Sequence, residues 1–278
     1  MAEVKTVDVA LLLQVLLVFG LDGRVAGKDS IPTELGDQRL DNNLRVVDFS
    51  DLTGELPLKI DRSIQILRRT EKWEHSTWSD DSRDSVGYPT MVRNDRGPNP
   101  DGKYYLFYAH HDPTSGIGCA VAESIEGPYQ KLAEGDKSRS DSQVLVNPGK
   151  PGEPFHYSSP CVLWSEEEQI WFLYFHTYRN LWKQGQGHQR TALATCPDLT
   201  KNVWTPWVDK EGQLIPVLPT TSARWMNSQS SYHAVQRLGD GCWLAFLRGT
   251  GGDEGLWQDP CKLGFATSKR WQKMGLLP

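Results

Sequence analysis

The chain has 278 residues, of which 38% are apolar and 23% are charged, so it can bury a sizeable core and is not disordered throughout. Its formal net charge of −5 at pH 7 excludes the broad basic surface that nucleic-acid binding requires. Eleven tryptophans and nine tyrosines suit both a β-rich core and stacking on sugar rings.

An apolar run extends from residue 9 to residue 21. It is too short to span a bilayer comfortably, has the length of a signal-peptide core, and is followed at 25–27 by small residues suited to cleavage. A buried N-terminal helix is the alternative. We therefore expect a signal peptide at 1–27, a secreted or periplasmic protein, and no membrane span.

The five cysteines form no CxxC pair, and their spacing carries no metal signature. Cys119, Cys161 and Cys242 lie inside apolar patterns, where a free cysteine packs as a small hydrophobe. We expect the chemistry to need no cofactor, and leave a structural metal ion open.

The decisive feature of the sequence is internal repetition. An apolar run of six residues, led by an aromatic side chain and ending in a cationic or titratable one, occurs three times with a period of about 70 residues. Each run is preceded by a turn and another strand pattern, and is followed by a third strand pattern and then an aromatic fourth element. The three runs are Tyr105–His110, Trp171–His176 and Trp243–Arg248.

Repeated units of four strands predict an all-β fold, a β-propeller built of four-stranded meander blades. A β-sandwich would show cleaner alternation and no repeat of this length. We place three blades at 88–278 and a lead-in with a partial blade at 28–87. Propellers close with about four to eight blades, so we expect the propeller to be incomplete at the C-terminus.

Equivalent positions of the blades should collect polar groups at the ends of neighbouring strands. His110, His176 and Arg248 close the three runs, and His156 and Tyr232 stand near the first strands of the second and third blades. Any one of these residues could be purely structural. Their coincidence at related positions predicts one site formed by His156, His176, Tyr232 and Arg248.

This set resembles the active site of the propeller-type ulvan lyases. The stretch from Asn99 to Asp112, and the element Ser124 with Gly127-Pro128-Tyr129, are similar to the wider group of sugar-active propellers that includes family 43-like glycosidases. The resemblance implies a monomeric polysaccharide lyase that acts on an anionic, uronate-containing and sulfated polymer.

Reaction chemistry separates the candidate activities. A glycosidase normally uses two carboxylates, and propeller hydrolases place one just before the proline of an early blade strand, where Tyr88 and Ser159 stand here. A lyase needs a cation to neutralise the uronate carboxylate, and groups that transfer protons. Arg248, with His176, suits the first task. Tyr232 and His156 suit the second.

We therefore expect a β-eliminating lyase with His156, His176, Tyr232 and Arg248 as its catalytic residues. The alternatives are a propeller glycoside hydrolase, with histidine replacing the carboxylate pair, and a non-catalytic carbohydrate-binding propeller. The additional residues expected to contact sugar or sulfate are His110, His111, Arg179, Trp182, Arg224 and Trp225.

Overall fold

The computed structural model of the chain describes residues 66–75, 86–110, 115–132, 142–146, 156–178, 189–218, 226–238, 242–251 and 261–268. The expected signal peptide at 1–27 and the lead-in up to residue 65 lie outside the described residues. A short 3₁₀ helix, Lys72–Glu74, precedes the first strand, and the other described elements are β-strands.

The first blade is an antiparallel meander of four strands, β1 to β4, with a fifth strand, β5, paired to β3. Turn signals explain its connections, since Pro100-Asp101-Gly102 separates β1 from β2. The strands are β1 (Val86–Arg93), β2 (Tyr104–His110), β3 (Ile117–Ala122), β4 (Gln130–Lys131) and β5 (Gln143–Leu145).

The second and third blades form one continuous seven-stranded sheet. The second blade is the antiparallel meander β6 (Tyr157–Ser165), β7 (Ile170–Tyr178), β8 (Gln189–Cys196) and β9 (Thr205–Pro206). The described strands of the third blade are β10 (Gln229–Arg237), β11 (Trp243–Thr250) and β12 (Lys262–Ser268). A single parallel pairing, Ser230 with Arg190, joins the two blades.

The predicted all-β propeller architecture of meander blades is confirmed. The three repeated runs form β2, β7 and β11, which are the second strands of successive blades. Short fourth strands, β4 and β9, stand next to the predicted aromatic elements at Tyr129 and Trp204.

The first strand of every blade contains the same irregularity. Tyr88, Ser159 and Tyr232 have positive φ values of 51°, 50° and 50°, and each lies where the register of its strand shifts against the second strand. Non-glycine residues rarely adopt this left-handed conformation. A β-bulge of this kind bends the strand and redirects the side chains beside it.

The bulges give the correct alignment of the blades and correct one prediction. The residues paired just before the shift are Ala109, His176 and Arg248, so His176 and Arg248 are equivalent. His110 stands one residue further along β2. Because side chains alternate between the faces of a strand, this one-residue slip turns His110 to the opposite face. The expectation that His110 matches His176 and Arg248 was wrong.

The same alignment explains the core. One face of β2, with Phe107 at its centre, shares a hydrophobic cluster with Leu173 and its neighbours on one face of β7. The other face of β7, with Tyr174, shares a second cluster with Ala245 and its neighbours on β11. Central strands are therefore apolar on both faces because a blade covers each side.

The outer face of the first blade is covered by the segment that carries the 3₁₀ helix. Trp73 stacks on Tyr108 with ring centroids 5.6 Å apart. The fully buried Glu74 accepts hydrogen bonds from the Tyr108 hydroxyl at 2.8 Å and from the Lys131 ammonium at 2.6 Å. It also accepts one from the backbone N–H of Thr70 at 2.7 Å, so one carboxylate ties this segment to β2 and β4.

We predict that Glu74→Ala lowers the free energy of unfolding by about 3 kcal/mol, because it leaves the Lys131 ammonium without a buried partner. Urea unfolding followed by circular dichroism measures the change. Glu123→Ala is the matched control, since Glu123 pairs with Lys103 at 2.7 Å on the surface, where an ion pair contributes about 0–1 kcal/mol. Equal losses in the two variants would contradict the role given to Glu74.

Candidate functional site

The structure brings the four predicted catalytic residues together. His156 immediately precedes β6, His176 lies near the end of β7, Tyr232 is the bulge residue of β10, and Arg248 lies near the end of β11. The site, here called the His–Tyr–Arg cluster, is therefore formed where the first strands of two blades begin and their second strands end. We predicted this convergence from the repeat, although its functional role stays a prediction.

The two histidines of the cluster contact each other directly. Their Nε2 atoms are 3.1 Å apart, and their rings are nearly perpendicular, at 88°. Only one of two facing ring nitrogens can carry the hydrogen between them, so one Nε2 donates and the other accepts. The pair thus places a proton donor and a proton acceptor at adjacent atoms.

Tyr232 lies between the histidines and the arginine. Its ring centroid is 4.4 Å from that of His176. The guanidinium carbon of Arg248 lies over the Tyr232 ring, 3.6 Å from the ring centroid. A guanidinium stacked on an aromatic ring is held in one plane by cation–π attraction. Arg248 also donates from Nη2 to Gln189 Oε1 at 3.3 Å, which fixes the direction of its remaining N–H groups.

A network of buried amides and hydroxyls stands behind Arg248. Gln229 donates to Ser231 Oγ at 2.6 Å and to Gln189 Oε1, and Thr250 donates to Gln229 Oε1 at 3.1 Å. Ser231 in turn donates to Gln189 at 3.2 Å. This network was not predicted from sequence. The signal that could have found it is the polar start of β10, since buried polar side chains are normally hydrogen-bonded.

Burial differs within the cluster. His156, His176 and Tyr232 are buried, whereas Arg248 is half-buried. Within the described residues, Arg248 Nε is a buried donor without a hydrogen-bond acceptor. An unsatisfied buried donor costs about 1–3 kcal/mol, which the contacts of the guanidinium with Tyr232 and Gln189 offset.

The remaining predicted site residues lie elsewhere or are not described. His110 lies on the same face of β2 as Tyr108, away from β7. The others fall outside the described ranges, namely His111, Arg179, Trp182, Arg224 and Trp225.

Two acidic residues of the described part of the chain, Glu123 and Asp198, have structural roles. Glu123 is exposed and pairs with Lys103. Asp198 accepts hydrogen bonds from Thr200 Oγ1 and Asn99 Nδ2 at 2.7 Å each. Burial raises the pKa of Asp198, but the bonds from Thr200 and Asn99 outweigh it, and the pKa is lowered.

His233 follows Tyr232 and packs against the second blade, with its ring centroid 6.1 Å from that of Tyr174. Its Nδ1 atom lies 3.0 Å from Thr191 Oγ1, and burial lowers its pKa to about 4. The ring is therefore neutral at pH 7 and forms part of the packing between the second and third blades.

This pKa predicts a pH-dependent stability. The unfolded chain has the ordinary pKa of 6.5 and so binds the proton before the folded chain does. The free energy of unfolding should fall by roughly 3 kcal/mol between pH 6.5 and pH 4 because of His233. His233→Asn should remove this component in urea titrations across that range, while the exposed His75→Asn should keep it. Parallel pH profiles for wild type and His233→Asn would contradict the burial argument.

Within the described ranges, no group of three or more histidine, cysteine or acidic side chains is arranged to hold a metal ion. No helix in that part of the chain is long and apolar enough to cross a membrane.

Comparison with curated proteins finds a relative that acts on a polysaccharide. The chain is 34% identical over 117 residues to an extracellular endo-α-(1→5)-L-arabinanase of Thermotoga petrophila, which corresponds to 39% of this chain and 22% of the relative. The chain thus spans about a fifth of the length of that protein. No family model matches the chain.

Solved structures with a similar arrangement include an α-L-arabinofuranosidase of Fusarium graminearum, with 12% identity and a TM-score of 0.45, covering 67% of this chain and 47% of that one. An arabinanase of Bacillus subtilis has 14% identity and a TM-score of 0.43, covering 66% of this chain and 51% of that one. These likenesses bear on neither substrate nor mechanism.

The assignment as a lyase acting on ulvan was wrong, because the relative found by sequence is a hydrolase of an arabinose polymer. The residue types of the cluster suit proton transfer in general and did not distinguish elimination from hydrolysis. The resemblance to the wider group of sugar-active propellers stands.

Proposed function

We propose that the chain belongs to a secreted, glycosidase-type propeller that hydrolyses an arabinose-containing polysaccharide. The observation that carries the proposal is the 34% identity to an extracellular endo-arabinanase over 117 residues. Export is further supported by the apolar run at 9–21, which has the length of a signal-peptide core.

The His–Tyr–Arg cluster is the proposed site. Hydrolysis of a glycosidic bond needs an acid that protonates the leaving oxygen and a base that activates water. The His156–His176 pair shares one hydrogen between two nitrogens 3.1 Å apart, so a proton taken up or given by either ring can pass to its neighbour. We assign acid–base chemistry to this pair.

Arg248 and Tyr232 are the proposed sugar contacts. Arg248 keeps N–H groups that are not used by Gln189 or by stacking on Tyr232, and sugar hydroxyls accept hydrogen bonds from such groups. Because Arg248 is the half-buried member of the cluster, it is the member nearest to solvent and to an incoming chain.

The first test is hydrolysis of linear α-(1→5)-L-arabinan. We expect new reducing ends to accumulate with the wild-type chain and to fall at least about a hundredfold with His176→Asn, since general acid–base catalysis contributes that much or more. His75→Asn is the control at an exposed histidine. Appearance of unsaturated sugar, seen by its ultraviolet absorbance, would contradict a hydrolase.

A second candidate function is carbohydrate binding without hydrolysis. The residues just before the prolines of the first two blades favour this function. Propeller hydrolases carry a carboxylate at such a position, whereas this chain has Tyr88 and Ser159 there. Retarded migration of the chain in arabinan-containing native gels, with no reducing ends released, would identify this function in place of hydrolysis.

Binding itself tests the sugar contacts. Arg248→Lys should weaken arabinan binding at least about tenfold, because an ammonium cannot both stack flat on Tyr232 and donate from a planar fork. Affinity electrophoresis measures this effect, and Arg68→Lys, at an exposed arginine outside the cluster, is the matched control. Unchanged binding by Arg248→Lys would remove the cluster from the sugar site.

A further inference from the structure

A second cleft lies at the other ends of the same first strands. It has a volume of about 420 Å³, within the range of small-molecule sites. Each blade contributes the third to fifth residues after its bulge residue, which are 91–93, 162–164 and 235–237. Tyr232 and Arg237 are five positions apart along β10, so this cleft is roughly 16 Å from the His–Tyr–Arg cluster.

The equivalent positions at the rim of this cleft hold Arg93, Trp164 and Arg237. Arg237 is paired with Glu167, and the neighbouring Arg96 is paired with Glu166 at 3.0 Å. Arg93 differs from both. Its Nε donates to the carbonyl of Gly102 at 3.1 Å and its guanidinium lies near the Tyr104 ring, while no carboxylate of the described residues pairs with it.

The wall of the cleft combines apolar and aromatic surface. Met91, Val162 and Val235 line it at equivalent positions of the three blades. The indoles of Trp164 and Trp171 also line it, with ring centroids 5.3 Å apart. Both indole nitrogens are buried, so the two side chains contribute aromatic ring surface and no accessible hydrogen-bond donor to the cleft. Aromatic rings of this kind pack well against the apolar face of a sugar ring.

We propose that this cleft binds a uronic acid residue of a polysaccharide. The guanidinium of Arg93 would hold the carboxylate through charge-assisted hydrogen bonds. The apolar CH face of the sugar ring would lie on the surface formed by Met91, Val162 and Val235 and by the neighbouring indole rings. The ligand class follows from these two features together, since a free carboxylate and an apolar ring face occur in one uronate unit.

The test is equilibrium titration of the full chain with trigalacturonate, followed by calorimetry and by tryptophan fluorescence. The neutral methyl ester of trigalacturonate is the matched ligand, and it should bind at least about tenfold more weakly because it cannot form the ion-assisted bonds with Arg93. Inorganic sulfate should not displace the sugar. Binding needs no turnover, so the result is independent of whether the chain hydrolyses arabinan.

Variants locate the site. Arg93→Gln should weaken trigalacturonate binding at least about tenfold, and Arg93→Lys should restore part of it, while Arg68→Gln should bind as the wild type does. Arg93 is exposed, so folding should be retained and can be verified by thermal melting. Equal affinity for acid and ester, full displacement by sulfate, absence of binding, or loss of binding only in Arg248→Lys would each overturn the proposal.

Discussion

The left-handed residue in the first strand of each blade is the constraint on which the site depends. Residues held at positive φ without being glycine cost about 1–3 kcal/mol each and persist only when the surrounding structure holds them in place. At Tyr232 the holding contacts are visible, because its ring is packed between His176 and Arg248 and meets the edge of Tyr88 at a centroid distance of 6.0 Å. The strained residues of two blades thus touch each other.

This bulge also separates two sets of side chains along one strand. Before the bulge of β10, Gln229 and Ser231 belong to the polar network behind Arg248. After it, Val235 contributes to the core and to the wall of the second cleft. In a regular strand, the side chains alternate between the two faces of the sheet without interruption. The extra residue of the bulge shifts this alternation, so the polar half and the apolar half of β10 are not bound to one common pattern.

Much of the fold could be predicted from the sequence because a long repeat constrains the position of every strand at once. The error at His110 shows the limit of that argument. Two six-residue runs can be matched by their aromatic first residue, as Tyr105 and Trp171 were, and yet differ by one position in register. The bulges determine that Ala109 pairs with Gly87 and that His176 pairs with Ser158. The bulge residues have positive φ values although they are not glycines, so their residue types do not predict the bulges.

The chemistry was less predictable than the geometry, and the reason lies in the side chains themselves. Histidine, tyrosine and arginine bind sugars and transfer protons in many reactions, so their convergence identifies a polar site without naming the bond that is broken. The hydrogen-bond partner of each side chain determines which of its polar atoms remain for a ligand. Gln189, some 59 positions before Arg248 in the chain, directs that guanidinium. Contacts of this sequence separation depend on the stacking of two blades, and only the folded chain reveals which N–H groups remain for a ligand.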